Sequence, residues 1–217
     1  MKVLVLVSPL CGRAVKLAAS LGDVYALALA ETDAVFSGVP LPDSARRVRV
    51  WDKMFQDDAL HPFDGEARAA VVVAQVARHV GASTVLLTES TAGYLGAAVA
   101  EQLNLALVSD VISAQLEGRS DPELVVSRRG LRHVQTLRGG VQAVLSVLPP
   151  LTESTQTIEV ENGAPSTVLS LEDLSLSAAD LPAPTLRTQN APQRHHQPRL
   201  FLGAELLVER LRRDGLE

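Results

Sequence analysis

The sequence predicts an α/β protein: a doubly wound, mainly parallel Rossmann-like sheet with an antiparallel extension and an extended C-terminal arm ending in a helix. Three observations predict it. Apolar, β-branched runs such as Val3-Leu4-Val5-Leu6-Val7 lack polar alternation, which suits strands buried on both faces. These runs alternate with alanine-rich stretches of helical period, the signature of a parallel sheet with crossover helices. Beyond Pro149-Pro150 the chain turns rich in Ser, Thr, Pro, Asn and Gln, too polar for a core. A Rossmann-like domain over 1–150 and an arm over 151–217 follow.

Lys2 to Val7 is the first buried strand, followed by a turn at Ser8 to Gly12. Ala14 to Leu21 is a short helix, and Gly22 reads as its C-terminal glycine. Asp23 to Ala30 is a second strand. Glu31 to Ser44 has no clear period and reads as a loop, and Arg46 to Trp51 alternates as a strand does. Phe63 to His79 is the longest helix, closed by Gly81. Thr84 to Leu87 is a strand, Thr88 to Gly93 a turn, Tyr94 to Leu103 a helix and Leu105 to Ser109 a strand. Val111 to Leu116, Glu123 to Ser127, His133 to Leu137 and Val141 to Val147 are strands joined by short turns, read as the antiparallel or mixed extension. In the arm, Leu171 to Leu174 is a short helix candidate. Phe201 to Arg213 is an amphipathic helix with Leu202, Leu206, Leu207 and Leu211 on one face.

Composition narrows the function. Hydrophobic residues are 47% of the 217, but aromatics only 3%, so the core must be built from Ala, Val and Leu. The net charge of −5, with no basic stripe interleaved with aromatics, argues against nucleic acid as a partner. The single cysteine, Cys11, allows no intramolecular disulfide and suits a reducing, cytoplasmic setting. No apolar run reaches the roughly 20 residues that span a bilayer, so no membrane insertion is expected.

In a parallel α/β sheet, ligands bind beyond the carboxyl ends of the strands, where the strand order reverses. Three segments should meet there: Val7-Ser8-Pro9 after the first strand, Ala28-Leu29-Ala30-Glu31 after the second, and the turn Thr88 to Gly96, which includes Leu95. The last offers backbone N–H groups at a helix N-terminus with the hydroxyls of Thr88, Ser90 and Thr91, a setting that suits a phosphate. Gly93 and Gly96 would let backbone and ligand approach closely. The plainer alternative is that Ser90 or Thr91 only caps the helix. No Gly-x-Gly-x-x-Gly follows the first strand, and no Walker A, Cys-x-x-Cys, His-Glu-x-x-His or Gly-x-Ser-x-Gly motif occurs. His195-His196 lacks supporting ligands and reads as a solvated pair. Cys11 is either a helix-terminal thiol of lowered pKa or a small buried side chain. Arg128, Arg129, Arg132 and Arg138 are either a solvated strand face or a cationic edge for a cofactor phosphate or an acidic partner.

Several of these stretches resemble the electron transfer flavoprotein family. Lys2-Val3-Leu4-Val5-Leu6-Val7, the helix Phe63 to Gly81 with Ser83 to Leu87, and Thr91-Ala92-Gly93-Tyr94-Leu95-Gly96 with its helix to Leu103 are similar to the domain that α and β subunits share. Leu107 to Val111 looks like a strand end of α subunits. Gln135-Thr136-Leu137, Ala143 to Val147, Ser170 to Leu174, Ala183-Pro184-Thr185 and the ending Glu205 to Leu216 follow the β tail in order. The resemblance therefore points to a β-like subunit. Two stretches depart from the pattern. Thr88 to Gly93 is shorter than the family's aspartate-bearing loop, and Leu148 to Glu153 stands where the family has Asn-Glu-Pro-Arg-Tyr.

What the resemblance implies is a heterodimer. An α-like subunit would supply most of an FAD site, this chain would hold AMP or a second FAD, and electrons would pass from a dehydrogenase to a quinone-linked acceptor. Such a protein is an electron carrier with no catalytic acid, base or nucleophile, not an enzyme. The alternatives are a divergent nucleotide-binding or scaffold module that has lost its cofactor, and an adenine-nucleotide hydrolase built on the same sheet.

Overall fold

Apolar residues packed on both faces of each central strand determine the architecture. In the first strand, β1 (Lys2–Leu6), Val3 and Val5 enter one buried cluster and Leu4 enters the other. In β2 (Asp23–Leu29), Val24, Ala26 and Ala28 face the first cluster while Tyr25 and Leu27 face the second. A period of two that is buried on both sides erases polar alternation, so these segments read as unbroken apolar runs.

The computed structural model describes residues 1–8, 10–51, 62–88, 94–118, 120–148 and 165–182, all within one unit, Met1–Thr185. After β1 come α1 (Gly12–Leu21), β2, a 3-10 turn at Asp33–Phe36, β3 (Arg46–Val50), α2 (Pro62–Val80), β4 (Thr84–Thr88) and α3 (Tyr94–Leu103). Then follow β5 (Ala106–Glu117), β6 (Glu123–Arg129), β7 (Val134–Gly139), β8 (Ala143–Val147) and β9 (Thr167–Leu169). The described strands form one nine-stranded sheet in the order β7-β6-β5-β8-β4-β1-β2-β3-β9. Along that order, every neighbouring pair from β5 to β9 is parallel, and only β5–β6 and β6–β7 are antiparallel. This is the mixed, mainly parallel Rossmann-like α/β fold that the sequence predicts.

The chain leaves β1 outward through β2 and β3, then returns through α2 to β4 on the other side of β1. Right-handed crossovers in opposite directions put helices on opposite faces. Accordingly Ala14, Val15, Ala18 and Leu21 of α1 join one cluster, while Val72, Val73 and Val76 of α2 and Val99 of α3 join the other. Each fully buried Val or Leu side chain contributes on the order of 1.5–3 kcal/mol.

Helix ends follow local chemistry. At the end of α2, Gly81 takes φ +68, and the Ala82 N–H reaches the Ala77 carbonyl at 2.8 Å, closing the helix with a left-handed cap. Gly22 stops α1 for a different reason from the one expected. Its φ of 162 is extended backbone, but a Cβ there would overlap the Met1 carbonyl oxygen, which also accepts the Asp23 N–H at 2.7 Å. The residue is small because the N-terminus passes against it.

The structure corrects four further sequence readings. Leu105 to Ser109 and Val111 to Leu116 are not two strands but the single strand β5, irregular near Asp110, which takes φ 59. There the strand leaves its parallel partner β8 and continues beside antiparallel β6. The last strand of the expected extension, β8, is instead a central parallel strand between β4 and β5, with every residue buried. The helix candidate Leu171 to Leu174 is a turn, in which the Leu176 N–H reaches the Leu171 carbonyl at 2.8 Å. Finally, residues 165–182 of the expected arm join the fold: β9 pairs with β3, and Leu169, Leu171, Leu174, Leu176 and Leu181 pack into the α2-side cluster. The candidate helix Phe201 to Arg213 lies outside the described residues.

Candidate functional site at the switch point

The strand order reverses between β1 and β4. The chain leaves β1 toward α1 on one face and leaves β4 toward α3 on the other. In open α/β sheets, ligands bind at such a reversal, outside the carboxyl ends of the strands. The structure places Val7, Ser8, Ala30 and Thr88 at the ends of three adjacent parallel strands, β1, β2 and β4, and Leu95 and Gly96 in the first turn of α3. Pro9, Ser90, Thr91 and Gly93 lie outside the described residues.

Hydrogen bonding decides what each residue can offer. Val7 donates its N–H to the Leu27 carbonyl at 2.8 Å, extending the ladder, and its side chain is buried. The Ser8 carbonyl accepts the Cys11 N–H at 3.1 Å, which makes the turn into α1. Ala30 has both backbone groups engaged: its N–H reaches the Val50 carbonyl at 3.1 Å, and its carbonyl accepts Arg49 Nη1 at 3.4 Å. Its N–H is therefore not free for a ligand, while its carbonyl keeps a second lone pair. Gly96 is buried and Leu95 packs on the α2-side core. Thr88 differs from all of these. Its Oγ1 is buried at the end of β4 with no hydrogen-bond partner among the described residues. An orphaned buried hydroxyl costs about 1–3 kcal/mol unless something satisfies it.

Beside Ala30 lies a cluster of which the sequence reading named only Glu31. Arg49 Nη1 also donates to the Glu31 carbonyl, and Arg49 Nε donates to Asp33 Oδ1 at 3.1 Å. Asp33 accepts the Ser166 hydroxyl at 2.5 Å and the Ser166 N–H at 3.4 Å. The Ser166 hydroxyl holds the Asp33 carboxyl below its ordinary range; burial opposes it, and the Ser166 N–H and the Arg49 charge add smaller lowering effects. The signal available in the sequence was faint: an arginine among valines on an alternating strand, which reads equally well as a solvated face.

Cys11 is buried in the α1-side core, the small-side-chain alternative. Arg129, Arg132 and Arg138 are exposed, and Arg128 is half-buried. Arg138 pairs with Glu117 at 2.6 Å, and the Arg128 Nε is buried without a partner among the described residues. His195 and His196 lie outside the described residues, among which no group of three His, Cys, Asp or Glu could hold a metal. No described helix is long and apolar enough to cross a membrane.

The fold is a Rossmann-like α/β domain whose strand order reverses between β1 and β4. No protein-family model matches the chain, and no curated protein matches it.

Proposed function

We propose that this chain is a nucleotide-binding, electron transfer flavoprotein β-like subunit. It would hold an adenine nucleotide, AMP or the adenine end of FAD, at the switch point. Paired with an α-like subunit in the cytoplasm, it would help carry electrons from a dehydrogenase to a quinone-linked acceptor. The observation that carries the reading is the orphaned Thr88 Oγ1 at the end of β4, one strand from β1 and just ahead of α3. A ribose hydroxyl or phosphate oxygen at that edge would give the buried hydroxyl its missing partner. FAD would supply the redox chemistry. The residues of this chain would bind it, orient it and exclude water.

The partner half of the reading draws support from the hairpin. Every residue of β7 is exposed, and β7 is a sheet edge whose Val134 and Leu137, with the neighbouring Leu131, present apolar side chains to solvent. Residues 123–139 hold four arginines and one glutamate in a chain of net charge −5. An unprotected apolar edge suits a protein partner, and the local positive charge suits an acidic one.

The engagement of the Ala30 N–H within the sheet favours a second reading, a scaffold module that has lost its nucleotide. Native mass spectrometry of the protein purified with its binding partners separates the two. Stoichiometric AMP or FAD and a second chain are the expected result. A bare chain free of nucleotide would sink the electron-carrier proposal and leave the scaffold reading.

A further inference from the structure

Arg49 is where the end of β2, the turn after it and the edge strand β9 meet. Its planar guanidinium spans the Ala30 and Glu31 carbonyls with Nη1 and Asp33 with Nε. Such a fork fixes several acceptors at once in a way a lysine cannot. Asp33 carries the connection onward to Ser166, the residue directly before β9, whose hydroxyl oxygen also accepts Arg49 Nε directly in a longer contact of 3.5 Å. The Arg49 side chain is 17% exposed and that of Asp33 45%, so the guanidinium end of the pair is largely withdrawn from water. Asp33 also opens the 3-10 turn whose Phe36 is buried in the α1-side core, which anchors that turn independently of Arg49.

β9 itself is a light element. It has three residues, paired with Val48, Arg49 and Val50, and only Leu169 among them is buried. Short edge strands of this kind sit at the low end of local stability, where a modest free energy changes their population. Through Asp33 and Arg49 the start of this strand is tied to Ala30, directly after β2 at the carboxyl edge of the sheet.

We propose that Ser166, Asp33 and Arg49 form a positioning relay through which a nucleotide seated beside Ala30 and the seating of β9 stabilise each other. The inference rests on the nucleotide reading of the switch point. With β9 in place, Ser166 holds Asp33, Asp33 holds Arg49, and Arg49 aims at the two carbonyls that set the end of β2. With β9 detached, Asp33 loses both Ser166 donors and β3 becomes the sheet edge, so the end of β2 loses part of its support. Linkage makes the effect reciprocal: a ligand that favours the ordered strand end favours the seated β9 to the same degree.

The test titrates the full-length protein with AMP, and separately with FAD, by calorimetry. The set is wild type, Ser166→Ala, Ser166→Thr, Asp33→Asn and Ser170→Ala. The last is a control, because Ser170 makes its own hydroxyl–carboxylate pair with Asp173 at 2.8 Å on the same segment and does not touch the relay. Affinity is expected to fall about fivefold in Ser166→Ala and Asp33→Asn, to recover in Ser166→Thr, and to stay unchanged in Ser170→Ala. Hydrogen exchange should show ligand protecting the Thr167–Leu169 amides in wild type and not in Ser166→Ala. A merely structural Ser166 would change exchange in β9 without moving the affinity. Equal affinities across the set, or an equal loss in Ser170→Ala, overturn the relay and leave the nucleotide reading standing. A wild type that binds neither ligand overturns both.

Discussion

The Ser166 hydroxyl lies 2.5 Å from Asp33 Oδ1, although 133 residues separate the two in sequence. The bond fastens a C-terminal strand to the turn after β2. It also makes that fastening depend on the charge of one carboxylate.

The pH dependence follows from that charge. Asp33 is held below its ordinary range in the folded protein, first by the Ser166 hydroxyl. A carboxylate depressed on folding contributes stability that is present above its unfolded value, near ~4, and is lost as pH falls through the lower folded value. The chain has a single tryptophan, Trp51, directly after β3, where Val50 pairs with Leu169 of β9. Its fluorescence should report a transition below about pH 4 in the wild type. In Ser166→Ala the transition should move to higher pH, because the main depressing bond is gone. An unmoved midpoint would show that Ser166 does not set the Asp33 titration.

Thr88→Val separates binding from stability. The substitution removes a buried hydroxyl that has no partner among the described residues and keeps the side-chain shape. The nucleotide-free protein should become as stable as the wild type or more so, by up to about 1 kcal/mol. Nucleotide affinity should fall roughly fivefold, the value of one ordinary hydrogen bond of about 1 kcal/mol. Thermal melts with and without AMP measure both. A variant that loses stability while keeping its affinity would place the hydroxyl in the protein's own bonding, not in a ligand site.

The exposed β7 edge should govern association. Val134→Asp puts a charge on a strand that is exposed throughout. The melting temperature of the isolated chain should hold, since exposed substitutions stay within about 0.5 kcal/mol. Capture of the partner subunit in a pull-down should drop sharply, because the charge would have to be desolvated at an apolar contact. Glu117→Gln, which removes the exposed Glu117–Arg138 pair, should leave the melting temperature nearly unchanged, since surface pairs contribute little. Unchanged capture in Val134→Asp would move the partner surface elsewhere.

Gly22→Ala tests a packing constraint with no ligand involved. Backbone conformation permits alanine at φ 162, so helix capping alone predicts almost no effect. The Cβ, however, meets the Met1 carbonyl oxygen that bonds Asp23 at the start of β2. Forcing the N-terminus aside should cost about 1–3 kcal/mol, the usual range for overpacking. Denaturant unfolding measures it, and a neutral result would mean the N-terminus shifts freely.

The α/β class, the strands β1 to β4 and the helices α1 to α3 are legible in the sequence, and parallel topology names the sheet edge at which a ligand is expected. Those features are written locally. A strand buried on both faces leaves a continuous apolar run, and a helix leaves its 3.6-residue period. Val7, Ser8, Ala30 and Thr88 could be grouped in advance because parallel topology brings strand ends together whatever the side chains are.

The rest depends on contacts between distant segments. Ala143–Val147 is apolar and strand-like in isolation, but nothing local says that it enters between β4 and β5 as a parallel strand. The same holds for β9, whose polar surroundings resemble a loop until β3 pairs with it and Leu169 finds the α2-side core. Arg49, Asp33 and Ser166 are three ordinary polar residues until the chain folds. Their meaning comes from hydrogen bonds between segments far apart in sequence. Periodicity reports which face of an element is buried. It carries no record of which distant element does the burying, and that choice settles the order of the sheet and the network beside Ala30.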